Sequence, residues 1–183
     1  MPKTINATVD WRALGMVNPV KDQGMCGSCW AFSAVGAMES RYAIANNGSL
    51  FSLSEQQLVD CQTSVLNYTS EGCNGGYSDE AFQYAAKYGM MNESDYVYTA
   101  VDQNCSYNDT LVVVTPSNGT HIATNSAQAL KEAIFDGPVS VSIEADTIPF
   151  QFYSGGIFND PTCGNDLDHA VVAVGYGADS NGR

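Results

Sequence analysis

Apolar positions after residue 29 recur at helical spacing. Phe32, Val35, Met38 and Tyr42 stand three to four residues apart, the period of one face of an amphipathic helix. Asn46-Asn47-Gly48 follows as a stop and turn signal. A second helix is predicted from Ser54-Glu55-Gln56-Gln57, which fits a capping box with Ser54 as N-cap and Gln57 reaching back, ahead of the apolar Leu58 and Val59 and of Cys61. Ser78 is expected to cap a third helix, DEAFQYAAKY, ended by Gly89. From about residue 110 the pattern changes. The β-branched runs LVVVT (111–115), VSVSI (139–143) and HAVVAV (169–174) predict strands, with one helix near 127–136 closed by Gly137-Pro138. Helices followed by strands, without an internal repeat or low-complexity linker, predict an α+β chain of two lobes.

Composition narrows the function classes. The chain has 183 residues, 44% of them hydrophobic, enough for a sizeable core in one domain or two small lobes. Seven Lys and Arg against 20 Asp and Glu leave a net charge of −13, which repels nucleic acid and anionic membranes. The longest apolar runs, such as Leu111 to Val114 and Ala170 to Val174, fall far below the ~18 residues of a spanning helix. Neither nucleic acid nor a membrane is therefore expected as a partner, and the mature chain is expected to be soluble. Residues 1–10 are polar and lack the apolar stretch of a secretory signal. Seven N-x-S/T sequons, at Asn6, Asn47, Asn67, Asn92, Asn104, Asn108 and Asn118, nevertheless exceed the about two that chance would give and point to a glycosylating secretory pathway. The competing reading is simple richness in Asn, Ser and Thr.

The chemistry concentrates at QGMCGSCWAFS, residues 23–33. A loop of small residues there turns into a helix, and a thiol, Cys29, stands at the turn. The first turn of a helix exposes unpaired N–H groups and a partial positive charge, which favours thiolate over thiol. Gly24 and Gly27 leave room for a substrate backbone. Cys26 and Cys29 also form a C-x-x-C pair, compatible with redox chemistry or half a zinc site. Both are disfavoured, because Cys61, Cys73, Cys105 and Cys163 are scattered and the two histidines lie far apart. No metal and no cofactor is called for.

Together with GCNGGY (72–77) and DHAVVAVGYG (168–177), this segment resembles the papain family of cysteine proteases, cathepsin L-like members in particular. VDWR (9–12), GPVSVSIEA (137–145) and FYSGGIF (152–158) extend the resemblance along the chain. The family's histidine follows its cysteine by roughly 130–150 residues, and His169 lies 140 residues after Cys29. The resemblance implies a helical lobe (11–110) facing a β-barrel-like lobe (1–10 and 111–183), with the active site in the cleft between them. It also implies Cys26–Cys73 and Cys61–Cys105 disulfides, leaving Cys29 free and Cys163 without a partner in this chain.

By the same resemblance Cys29 is the nucleophile, His169 holds its proton as imidazolium and delivers it to the leaving amine, and Gln23 with the Cys29 backbone N–H forms the oxyanion hole. The competing histidine, His121, lies in the polar stretch SNGTHIATN and reads as a solvated loop residue, whereas His169 opens an apolar strand. Asp168 adjoins His169, but neighbours on a strand face opposite ways, so its carboxylate is not expected to orient the ring. Gly75 and Gly76 resemble cleft glycines that pair with an extended substrate, although a tight turn beside a disulfide explains them equally. Tyr77, Ser78, Ser142, Ala145, Leu167 and Ala170 match positions lining the pocket for the side chain two residues before the cut, and Asp168 is counted with the substrate-binding set.

The implied activity is a cysteine endopeptidase, because Gly76 to Tyr98 is compact and no insertion lies between Gln23 and Cys26 to block the cleft. Two alternatives stay open: an aminopeptidase of the same family, and a non-catalytic fragment or peptide-binding module. The latter gains weight because the family's orienting asparagine, followed by Ser-Trp, does not occur here; Asn181 is followed by Gly-Arg. The chain resembles a heavy chain. A light chain or a continuation carrying Asn-Ser-Trp-Gly and a cysteine for Cys163 is therefore expected, with a truncated form of impaired activity as the competitor. Other expected partners are a peptide or protein substrate and a propeptide or cystatin-like inhibitor. A sequence pI near 4.1 fits a lysosome, a digestive vacuole or secretion.

Overall fold

A computed structural model describes residues 7–63 and 66–178. Asn6 and Asn181 lie outside these residues. Among the described residues eleven helices and strands follow one another: β1 (Val9–Asp10), α1 (Cys29–Ala45), α2 (Glu55–Cys61), α3 (Ser78–Tyr88), β2 (Met90–Met91), β3 (Val112–Val114), α4 (Ala127–Phe135), β4 (Val139–Ile143), α5 (Ile148–Gln151), β5 (His169–Ala173) and β6 (Gly175–Tyr176), with 3₁₀ turns at Gly72–Asn74 before α3 and Asp109–Leu111 before β3. The strands pair antiparallel as β1 with β6, β2 with β3 and β4 with β5, so the described residues form three two-stranded sheets and no closed barrel.

The hydrophobic core forms where α1, α2 and α3 meet. Trp30, Ala34, Val35 and Met38 of α1 pack with Leu58 and Val59 of α2, Ala81, Tyr84 and Ala85 of α3, and Met90 and Met91 of β2. Each large side chain so buried contributes about 1.5–3 kcal/mol. The amphipathic reading of α1 needs correction. Ala31, Ala37, Glu39 and Ser40 are buried along with Val35 and Met38, whereas Phe32 and Tyr42 of the stripe are only half-buried, because α2 and α3 cover one side of the helix while β4 and β5 cover another. Small residues, invisible to a periodicity of large ones, are what allow these close approaches.

A buried charge cluster anchors α1 to α2. Lys21 Nζ lies 2.8 Å from Glu39 Oε1 and 2.6 Å from Glu55 Oε1, and Glu39 also accepts from Leu53 N and Asn18 Nδ2. On the other side Arg41 donates to the carbonyls of Ala133, Gly137 and Pro138, fixing α1 to the turn between α4 and β4.

Two capping expectations are only partly met. Ser54 Oγ accepts from Gln57 N at 3.0 Å, but the Gln57 side chain does not reach back; it bonds Met91 N and Gly89 O, tying α2 to the end of α3. Ser78 is not a cap. Tyr77 is the N-cap of α3, and Ser78 Oγ donates to Trp30 O at 2.9 Å, so the hydroxyl serves a long-range acceptor rather than a local N–H donor. Gly89 does end α3, with φ 77°, and Asn47 (φ 57°) and Gly48 (φ 84°) turn the chain after α1.

Candidate active site

Cys29 is the first residue of α1, half-buried, and its thiol is free. The loop before it is held from outside. A Cys26–Cys73 disulfide joins it to the 72–77 segment, Gly27 N donates to Cys73 O at 2.9 Å, and the Trp30 indole donates to Gly72 O at 3.1 Å. The approach at Gly27 is so close that a Cβ there would stand 2.6 Å from Cys73 O. Gly75 adopts φ 119°, and a Cβ on Gly76 would stand 2.6 Å from the Trp30 ring. Both glycines are half-buried, beside the disulfide, while Tyr77 is 60% exposed. A second bridge, Cys61–Cys105, fastens the end of α2.

Gln23 Nε2 donates to Cys26 O at 2.8 Å. A carboxamide nitrogen carries two hydrogens. One is thus committed to the loop, and the other remains for a further acceptor.

His169 is the first residue of β5, half-buried, paired in register with Ile143 of β4. The strand is bound to α1 by Ser33, whose hydroxyl lies 2.6 Å from Ser140 Oγ and 2.7 Å from Val171 O. Three residues further along α1, Gly36 faces Val172, whose Cγ2 would stand 3.1 Å from a Cβ on that glycine. Helix and strand therefore advance in the same sense along the seam. Stepping back four residues from Ser33 covers about 6 Å of helix, and two residues from Val171 cover about 6.6 Å of strand, so the seam brings Cys29 and His169 to the same end.

Beside His169 an open cleft of about 600 Å³ is lined by Ala145, Asp146, Phe150, Gln151, Asp168 and His169. Asp168 is exposed, and its carboxylate accepts from Ala145 N at 2.7 Å, which commits it to the backbone after β4. Ser142 and Ala170 stand opposite one another in the β4–β5 ladder, and Leu167 is 62% exposed. His121 lies elsewhere, 3.9 Å from Asp79 with its side chain 84% exposed. Cys163 is free and exposed. Among the described residues no group of His, Cys, Asp and Glu is arranged to hold a metal ion, and no helix is long and apolar enough to cross a membrane.

Sequence reasoning missed Ser33, Ser140 and Tyr98. The serines are small polar residues inside otherwise apolar elements, a signal that could have marked them as tie points. Tyr98, which bonds Ser28 and the Gln23 carbonyl, carries no spacing signal at all.

Comparison with known proteins agrees with this geometry. The profile described as "Papain family cysteine protease" matches residues 5–183. The chain is 49% identical over 174 residues to "Digestive cysteine proteinase 2" of Homarus americanus, covering 93% of this chain and 53% of that protein. It is 47% identical over 182 residues to "Cathepsin L-like peptidase" of Aedes aegypti, covering 98% and 52%. Among solved structures, digestive procathepsin L 3 of Tenebrio molitor larval midgut superposes with TM-score 0.89 at 45% identity, over 97% of this chain and 57% of that one. The chain thus spans about half the length of the curated relatives it matches. A free thiol opening a helix, a histidine opening the strand packed on it, the papain-like fold and a match over nearly the whole length agree: the chain belongs to the papain family of cysteine proteases.

Proposed function

We propose that this chain carries the catalytic pair of a cysteine endopeptidase. Cys29 attacks the scissile carbonyl, and His169, as imidazolium, protonates the departing amine. The Cys29 backbone N–H and the second Gln23 amide hydrogen receive the oxyanion. Water, deprotonated by His169, then releases the acyl group. The observation that supports this reading is the Ser33 tie, which packs α1 against β5, the helix that Cys29 opens and the strand that His169 opens. With lobe boundaries at 11–110 and at 1–10 plus 111–183, the described residues of the first lobe supply the wall bearing the thiol and those of the second the wall bearing the histidine.

Substrate lies extended against Gly75 and Gly76. The side chain two residues before the cut enters between Tyr77, Ser78, Ser142, Ala145, Leu167, Asp168 and Ala170, a mixed pocket that favours an aliphatic or aromatic group. The supporting geometry is the antiparallel Ser142–Ala170 pairing on one wall and the glycine pair, clamped by the Cys26–Cys73 bridge, on the other. A propeptide, or an inhibitor of cystatin type, is expected to occupy the same cleft.

A segment bearing Asn-Ser-Trp-Gly, in a light chain or a continuation, would orient His169 and pair Cys163. It is supported by the exposed Cys163 thiol and by β4 and β5, which pair only with each other among the described residues. The acidic composition and sequons favour a lysosomal, digestive or secreted setting.

Paired N-blocked and unblocked peptides test the reading. An endopeptidase cleaves both internally; strict dependence on a free N-terminus would identify an aminopeptidase, and cleavage of neither by the activated full-length protein would leave only binding.

A further inference from the structure

We propose that Tyr98 is a positioning residue for the catalytic step. Its hydroxyl holds the Ser28 hydroxyl and clamps the Gln23 carbonyl, keeping the Cys29 and Trp30 N–H groups open to sulfur and oxyanion. The inference rests on the roles given above to Cys29 and Gln23.

Three of the helices have serine at the N-cap, and they differ. Ser54 Oγ accepts from Gln57 N at 3.0 Å and Ser126 Oγ from Ala129 N at 3.1 Å, the ordinary capping bond to the third residue of the helix. Ser28, fully buried, makes no such bond, and the Ala31 N–H it would use donates to the Ser28 carbonyl at 2.9 Å. Its backbone (φ −96°, ψ 17°) also lies outside the extended conformation of Ser54 (φ −78°, ψ 114°) and Ser126 (φ −122°, ψ 93°). Its Oγ is instead 2.6 Å from the Tyr98 hydroxyl.

The protons in this trio have one arrangement. Tyr98 donates its single hydrogen to Gln23 O at 2.8 Å, so Ser28 donates to Tyr98. The Ser28 hydroxyl hydrogen thus points away from α1, and the tyrosine oxygen joins the loop that carries Gln23 to the residue preceding Cys29. Ala31 N–H is already held by the Ser28 carbonyl at 2.9 Å, so a Ser28 hydroxyl released from Tyr98 would compete for the Trp30 N–H and take up part of the field that favours thiolate.

Tyr98 is itself firmly held. Its ring meets Phe32 of α1 edge-on, with centroids 4.8 Å apart, and its backbone N–H donates to Glu93 Oε1 at 2.8 Å. It forms one wall of a cavity of about 260 Å³ shared with Lys21, Asp22, Phe32, Ser52, Glu55 and Glu93. Burial raises its pKa despite the Ser28 bond, and the carboxylates of Glu55, Asp22 and Glu93 add to the effect. The hydroxyl therefore stays protonated and able to donate through the acidic and neutral range.

Tyr98→Phe removes one oxygen and keeps the ring packing. In the activated full-length protein the expected result is a fall of about tenfold in kcat/KM, carried mostly by kcat, as for a loss of donor alignment rather than of binding. The acid limb of the Cys29 alkylation profile should also move up by about half a pH unit. Combined with Ser28→Ala, the two losses should be strongly non-additive, because both substitutions cut the same chain. A Tyr98→Phe enzyme within about twofold of the parent in kcat/KM, with an unmoved acid limb, would overturn the inference. So would a fall matched only by lower melting temperature and additive with Ser28→Ala. If the parent neither cleaves peptides nor labels at Cys29, the endopeptidase reading itself has failed, which these outcomes keep separate.

Discussion

Ser33 and Ser140 meet hydroxyl to hydroxyl at 2.6 Å, and Ser33 also bonds the carbonyl of Val171. One donor-acceptor pair on the nucleophile's helix thereby fixes the strand on which the histidine stands. Ser33→Ala deletes the tie while leaving the small side chain that the packing requires. The expected cost is about 1–3 kcal/mol of stability, since Ser140 and part of the Val171 carbonyl's capacity lose a partner. Because the relative setting of Cys29 and His169 is also loosened, kcat should fall more than KM rises. Denaturant titration and steady-state kinetics on the same preparation read both effects.

Stability should fall as pH rises from acid toward neutral, opposite to the habit of proteins rich in paired surface carboxylates. Burial pushes Glu55 from 4.5 up to about 7, against the opposing pull of Lys21; burial also raises Glu93. The folded state then keeps a proton that the unfolded chain has released, so the contribution is complete below about pH 4.5 and lost as pH rises through about 7. Asp10 works the other way. Its bond to Arg12 lowers it from 3.8 to about 2, so its share is present above about pH 3.8 and lost as pH falls through about 2. Melting temperature should therefore peak near pH 4–5, and Glu55→Gln should flatten the decline on the neutral side.

Gly27→Ala should damage the site without touching a reacting atom. The new methyl would stand 2.6 Å from the Cys73 carbonyl, a backbone atom held by a disulfide, so the loop must move. Overpacking of this kind costs about 1–3 kcal/mol, and the moved loop is the one that positions both Gln23 and Cys29. Gly75→Ala offers the contrast: nothing lies within 4 Å of its Cβ position, and its cost comes from φ 119° alone. Thermal melts of the two variants separate steric from conformational damage.

Much of the architecture was legible because it rests on local signals. The stop after α1, the Ser54 cap, the Gly89 terminus and the VSVSI and HAVVAV strands follow from residues acting on their near neighbours. What escaped was long-range. Ser78 was expected to cap α3 because Trp30 O, its actual partner, lies 48 residues away, and α1 looked amphipathic because alanines that admit close packing do not register in a hydrophobic stripe. The short β1, β2 and β6 exist only through their pairing partners. At the site, Cys29 and His169 stood out in the sequence as motif residues, whereas the Ser33–Ser140 tie and the Tyr98 clamp join residues too far apart for spacing to connect them.

Active-site labelling tests the central claim most directly, because Cys29 is a free, half-buried thiol, while Cys163, the other free thiol among the described residues, is the one the proposed continuation pairs. A peptidyl epoxide added to the activated full-length protein at mildly acidic pH should form one adduct, mapped to Cys29 by peptide mass spectrometry, with peptide hydrolysis lost in step. Cys29→Ala should abolish both labelling and turnover, His169→Ala should remove nearly all of both, and Gln23→Ala should retain labelling while losing about 10–10³-fold in kcat. Labelling at any residue other than Cys29, or full hydrolysis surviving in Cys29→Ala, would contradict the account.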